Sequence, residues 1–204
     1  MAGAHVPPVD DAVDVEGLVE VYRTDEWWRA VVRYRPPGRD RDRRALYLWH
    51  NDGERWRRKQ KYVIDDREAW ETDRDLIDGL LSSDPADGRT DAFPTSDYLT
   101  IGRGETVYRS DGWWKAVVEI VRKGSYDTQE VAVYVWQAGE TDDDWRRRQK
   151  YVAKARGWTD DVDAIERSLG GGDDAPTTDR VSAGVARGTD EDTLGSLEDA
   201  IIDF

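Results

Sequence analysis

The chain has 204 residues, no cysteine and a formal net charge of −14, which excludes a disulfide framework, a thiolate metal site and a thiol nucleophile. The acidity sits at the ends: residues 1–16 carry four acids and no Lys or Arg, residues 170–204 carry nine acids against two arginines, and 28 basic and 31 acidic residues remain for 17–169. The middle of the chain is close to charge balance, so net charge does not exclude a polyanionic partner.

Asp outnumbers Glu by 31 to 13 and Arg outnumbers Lys by 24 to 6, a bias that resembles proteins of extreme halophiles. Molar salt shrinks the Debye length to about 3 Å, so a phosphate binder working there depends on close contacts and stacking. No apolar run approaches the roughly 20 residues of a membrane span, and the N-terminus lacks a basic region followed by an apolar one. The expectation is a cytoplasmic protein with no membrane contact.

Every one of the ten tryptophans has a partner further along the chain, at spacings that drift only from 86 to 89 residues: Trp27 with Trp113, Trp28 with Trp114, Trp49 with Trp136, Trp56 with Trp145 and Trp70 with Trp158. VYRTDEWWRAVV at 21–32 matches VYRSDGWWKAVV at 107–118 at nine of twelve positions. Self-similarity of this kind marks a tandem duplication. A polar lead (1–16) precedes repeat 1 (17–82), a linker (83–101), repeat 2 (102–169) and an acidic tail from 170. The lead and the tail read as disordered.

Within each repeat a short strand (18–23, 104–109) is expected first. A turn at Thr24-Asp25-Glu26 or Ser110-Asp111-Gly112 follows, then a strand that begins at the paired tryptophans. Period-2 alternation in that second strand groups Trp28, Ala30, Val32 and Tyr34 as a core stripe. Trp27, Arg29, Val31 and Arg33 fall on the other face, with Trp113 and Lys115 as their partners. The third strand, 45–50 and 132–137, alternates aliphatic residues with Tyr47 and Trp49, or Tyr134 and Trp136. With Leu46 and Leu48 inward, these aromatics join Trp27 and Trp113 on the non-core face.

A fourth, basic strand (56–63, 145–152) leads to a helix whose apolar stripe is Trp158, Val162, Ile165 and Leu169, matched by Trp70, Ile77 and Leu81. Asp65 or Asp66 and Thr159 are the expected N-caps. The fold class is α+β: two tandem ββββα repeats, each an antiparallel sheet with one C-terminal helix, packed as an intrachain pseudo-dimer that makes the protein a monomer with pseudo-twofold symmetry.

The duplicated basic strand carries the functional expectation. Arg57, Arg58, Lys59 and Lys61, and Arg146, Arg147, Arg148 and Lys150, place four cations in seven residues with an aromatic at both ends. Cations satisfy phosphate oxygens, and aromatic rings stack on unpaired bases at about 1–3 kcal/mol per base. The expected surface comprises these two runs with Trp27, Tyr47, Trp49, Trp113, Tyr134 and Trp136 as stacking platforms, and Arg29, Arg33 and Lys115 as further phosphate contacts. Two alternatives stand beside it. The basic run would also suit a solvated edge strand, whose charges discourage aggregation, and the aromatic faces would suit a protein-interaction module that buries a partner or the other repeat.

Four strands followed by a helix, with a basic strand before that helix and a Trp on it, resemble the transcriptional positive cofactor 4 family. The resemblance implies a dimer-like single-stranded-DNA-binding fold, a role in transcription regulation, phosphate contacts at Arg57, Arg58, Lys59, Lys61, Arg146, Arg147, Arg148 and Lys150, and helix tryptophans at Trp70 and Trp158. That family's characteristic glycine in the basic strand is missing here, where Gln60 and Gln149 stand within the run.

Catalysis is not expected. His5 lies in the lead and His50 is matched by Gln137, Asp25 and Asp111 suit a turn, and no metal or cofactor is implied. The tail ends in EDAIIDF, where Ile201, Ile202 and Phe204 are candidate anchors for a protein partner.

Overall fold

Thr24 and Ser110 build the first turn of each half. Their hydroxyls accept the backbone N–H of Trp27 at 2.9 Å and of Trp113 at 3.1 Å, the local side-chain closure that short hydroxyl residues provide. In this computed structural model, which describes residues 6–9, 13–38, 40–94, 99–121, 130–140 and 144–170, those turns join β1 (Asp14–Arg23) to β2 (Trp27–Arg35) and β5 (Thr100–Arg109) to β6 (Trp113–Val121). The other elements are β3 (Arg43–Asn51), β4 (Trp56–Ile64), α1 (Arg67–Leu81), β7 (Glu130–Ala138), β8 (Trp145–Lys154) and α2 (Trp158–Gly170). Asp66 caps α1 by accepting from Ala69 N at 2.8 Å. Thr159 is not a cap, because α2 already begins at Trp158, behind Gly157 at a φ of 97°.

Part of the polar lead is ordered. Residues 14–16 belong to β1, and Val9 and Val13 pack against buried aromatics of the first half.

The fold is α+β, but its strands form one sheet rather than two. All eight are antiparallel neighbours in the order β1-β2-β3-β4-β8-β7-β6-β5. The basic strands β4 and β8 are therefore the innermost pair, and edge protection does not explain their charge.

Their junction is narrow, with Lys61 opposite Lys150 as its one ladder pair. Glutamine side chains extend it: Gln60 Oε1 accepts from Val152 N at 3.0 Å and Gln149 Oε1 accepts from Val63 N at 3.2 Å. The two glutamines inside the basic runs thus close the seam between the halves.

Both faces of the sheet carry buried clusters. On one lie the helices, over Val31, Leu46, Tyr62, Val117, Val133 and Tyr151. On the other, each half holds its own aromatic cluster: Trp28, Tyr34, Tyr47 and Trp49 with Val9, Val13 and Trp56, and Trp114, Tyr134 and Trp136 with Phe93, Leu99 and Trp145. Register explains the arrangement, since Ala30 faces Tyr47 and Val31 faces Leu46, and directly opposed residues share a face. Tyr47 and Trp49 therefore side with Trp28, not with Trp27 as their alternation with leucines suggested.

Each helix lies over the sheet of the opposite half: α1 packs on β6 and β7, α2 on β1 and β2. Two buried polar groups pin them. Asp73 of α1 accepts from Lys115 Nζ and from Tyr62 Oη, both at 2.5 Å, and Asp161 of α2 accepts from the Arg29 guanidinium and from Tyr151 Oη, the latter at 2.8 Å. The helices also bond each other, through Trp70 Nε1 to Glu166 at 2.8 Å and Trp158 Nε1 to Asp78 at 2.5 Å. Arg44 of β3 donates to the carbonyl of Ser168 at 2.9 Å, satisfying an acceptor at the end of α2. Among the described residues no helix is long and apolar enough to cross a membrane.

Burial, reinforced by the facing carboxylates, pushes the Tyr62 and Tyr151 phenols well above the usual tyrosine value. An unfolded tyrosine ionises near pH 10, so above that pH the unfolded chain has released protons that the folded one retains. Stability is then fully present below about pH 10 and declines as pH rises further. Thermal melts at stepped alkaline pH should show it, and Tyr62→Phe with Tyr151→Phe should flatten the decline; an unchanged slope in that double variant would count against buried tyrosines as its source.

Candidate nucleic-acid interface

Charge divides the molecule into layers. The helix layer is acidic, with five acids against two arginines in α1 and four against one in α2. Such a surface repels phosphate, so neither helix suits insertion into a nucleic-acid groove. The cations gather instead on the seam strands.

Register places Arg58 opposite Trp49 and Lys61 opposite Tyr47, with Arg147 opposite Trp136 and Lys150 opposite Tyr134. These four cations share the face away from the helices. Arg58 and Arg147 are exposed, and Lys61 and Lys150 are half-buried at the centre. Lys61 Nζ lies 5.6 Å from the Tyr47 ring and Arg147 lies 5.9 Å from the Tyr134 ring, contacts in which the aromatic face favours a cation. Because the strands run antiparallel, the runs at 57–59 and 146–148 extend to opposite ends of the seam. On the face away from the helices, Arg58, Lys61, Lys150 and Arg147 make a diagonal basic stripe about 20 Å long at about 3.3 Å per residue.

A bulge sits within each run, between the pairs Leu48–Gln60 and Trp49–Arg58 and between Val135–Gln149 and Trp136–Arg147. An extra residue at that point re-aims the side chains that follow. It leaves Lys59 and Arg148 between the two faces and puts Arg58 and Arg147 with Lys61 and Lys150. Arg57 pairs with Asp52, and Arg146 lies 3.5 Å from Asp144. Among the described residues Arg58, Lys59 and Arg147 have no carboxylate at ion-pair distance.

The aromatic side chains expected as stacking platforms lie elsewhere than expected. Trp49, Trp136, Tyr47 and Tyr134 are 1%, 2%, 5% and 1% exposed, and Tyr47 stacks on Trp49 with ring centroids 4.9 Å apart. Neither a base nor a protein partner reaches Trp49, Trp136 or Tyr134, whereas Tyr47 borders a small cavity. Of the four tryptophans, Trp113 is exposed, and Trp27 is half-buried against His50 at 4.4 Å. Both stand on the helix side, where Trp113 is in line with Gln137 and Arg146. Gln137 accepts from Arg148 Nε at 2.8 Å.

Arg29 and Lys115 are not surface contacts, because they lie beneath the helices on Asp161 and Asp73. Burial alone would weaken the Arg29 cation, but Asp161 beside it raises its pKa overall. Arg33 is on the same covered face and donates to the carbonyl of Glu16 at 3.2 Å. Ile201, Ile202 and Phe204 lie outside the described residues.

Two cavities flank these features. The larger, about 390 Å³, lies among Asp25, Glu26, His50 and Asp52 at the turn ends of β2 and β3, where the carboxylates disfavour an anion. The smaller, about 190 Å³, opens beside the stripe and is lined by Arg58, Lys61, Tyr34, Tyr47 and the Pro8–Val9 and Val13 segment. Tyr34 drew no attention in the sequence as a site residue, because alternation marked it only as core. Among the described residues no cluster of three or more His, Cys, Asp or Glu side chains is placed to hold a metal ion. No protein-family model, no curated protein and no solved structure matches this chain.

Proposed function

We propose that the chain is a non-enzymatic single-stranded nucleic-acid-binding protein whose halves act as the two subunits of a dimer fused in one polypeptide, as the resemblance to the positive cofactor 4 family implies. The observation that carries this reading is Lys61 set opposite Lys150 at the centre of the sheet, flanked by Arg58 and Arg147. Like charges directly opposed across strands destabilise a sheet. Four of the six lysines in the chain stand in these two strands, in a sequence that disfavours lysine elsewhere, and the opposed pair offers two cations to one bridging anion.

The stripe supplies phosphate contacts on the face away from the helices, while Trp113 is exposed on the helix side, in register with Gln137 and Arg146. Single strands are favoured over duplex because the acidic helices exclude groove insertion, while an extended backbone follows a sheet diagonal. Trp113 is the side chain through which a protein-interaction role would act, since Trp49 and Trp136 are covered and Trp27 is half-buried against His50.

Tryptophan fluorescence in molar potassium chloride, titrated with a twelve-nucleotide thymidine strand and with a duplex of equal length, tests the reading. The expected result is saturable quenching by the single strand at micromolar concentration and weaker binding of duplex. Equal or absent response to both would sink it.

A further inference from the structure

The two halves are not equivalent at the seam. Arg58, Lys61 and Tyr47 have counterparts in Arg147, Lys150 and Tyr134, but the partner of Tyr34 is Ile120. Tyr34 lines the cavity of about 190 Å³ that Pro8, Val9 and Val13 border from outside the sheet. In the second half Phe93 instead packs directly on Trp114, with centroids 5.7 Å apart. A substitution within a duplicated motif that coincides with a cavity marks a place where one half has a task the other lacks.

The lining combines three chemistries. Pro8, Val9 and Val13 provide apolar surface, Tyr34 and Tyr47 provide two phenol rings, and Arg58 and Lys61 provide two cations, Lys61 Nζ being 5.5 Å from the Tyr34 ring. Drug-sized ligands occupy about 300–1,000 Å³, so this cavity takes a smaller body such as one planar base. An anion attached to that base would meet Arg58 and Lys61 at the edge that joins the stripe.

We propose that this cavity binds a single nucleotide, its base against the tyrosines beneath the Pro8–Val9 segment and its 5′-phosphate on Arg58 and Lys61. The inference rests on the single-strand reading and deepens it: the strand is anchored by one nucleotide in the first half and runs from there along the seam toward Lys150. The protein thereby engages a strand with a defined polarity although its basic stripe is symmetric.

Thymidine 5′-monophosphate, thymidine and inorganic phosphate, each titrated by NMR into the full chain in molar potassium chloride, test this directly. Saturable binding of the monophosphate is expected, with nucleoside and phosphate each roughly tenfold weaker, because stacking and charge each contribute. Tyr34→Ile, which installs the residue of the second half, should weaken the monophosphate by about tenfold. Arg58→Gln is at an exposed position, so folding is retained; it should weaken the monophosphate and leave thymidine unchanged.

Absence of saturation at about 10 mM monophosphate, equal binding of inorganic phosphate, or undiminished binding by both variants overturns the cavity assignment. The twelve-nucleotide strand, titrated in parallel, separates the two readings. If it binds while the monophosphate does not, the cavity assignment alone falls; if neither binds, both fall.

Discussion

Asp161→Ala is expected to lower folding stability by about 3–5 kcal/mol, the cost of leaving a buried cation without its partner. Asp161 is 2% exposed and holds both the Arg29 guanidinium and the Tyr151 hydroxyl. Its removal strands two polar groups under α2. Urea unfolding in molar potassium chloride reads the change as a shift in midpoint. Burial already raises the Asp161 pKa, with Arg29 pulling it back, so the aspartate is held against a desolvation penalty and the net worth of the pair is smaller than the cost of breaking it.

A double variant distinguishes the two quantities. Arg29→Met with Asp161→Leu removes both charges together and should recover most of the lost stability. If Asp161→Ala shifts the midpoint by less than about 1 kcal/mol, the value typical of an exposed pair, then the contact is not a buried pin. The matching pair in the other half, Asp73 with Lys115, should respond in the same way, since Asp73 is 1% exposed and also accepts from Tyr62.

Lys61→Gln combined with Lys150→Gln is expected to move binding and stability in opposite directions. Removal of two opposed like charges from the centre of the sheet should stabilise the fold by up to about 1 kcal/mol. The same change deletes two phosphate contacts, so the slope of log affinity against log salt for a single strand should shrink by about 1.4, at roughly 0.7 per contact. Fluorescence titration across the salt range in which the protein stays folded supplies the slope, and a thermal melt supplies the stability. A stabilised variant that binds the strand with unchanged slope would mean that the lysines are not phosphate contacts.

The opposite signs matter because they separate function from structure. A residue that serves packing loses stability when removed, as Asp161 should. A residue that serves a ligand loses binding when removed while the fold is kept, and this is the outcome expected of the double lysine variant.

Much of the fold was legible in the chain. The pairing of tryptophans located corresponding segments, the turn hydroxyls at Thr24 and Ser110 marked the hairpins, and Trp70 and Ile77 marked the buried stripe of α1, within which Asp73 is also buried. Face assignment failed for β3 and its counterpart because alternation identifies two faces without naming the wet one. At β3 and β7 both are covered, one by the helices and one by the aromatic clusters that the segments before β1 and β5 pack against. Leu46 and Tyr47 are therefore both core residues, at 1% and 5% exposure, and their alternation carries no polarity signal.

The site was legible in part. The basic runs were visible as composition, and they remain the cations of the interface. Arg29, Arg33 and Lys115 looked equivalent to them because an isolated strand sequence gives no sign of a carboxylate that arrives from 132 residues away, as Asp161 does at Arg29.

The sequence by itself determined the duplicated strands and helices, since period, turn chemistry and aromatic spacing act within a few residues. Only the tertiary structure decided that the halves share one sheet, that each helix crosses to the other half, and that two lysines meet at the centre. Those outcomes depend on which strand edges pair and which buried charges find partners. Such contacts join residues far apart in the chain, and local preference leaves them open.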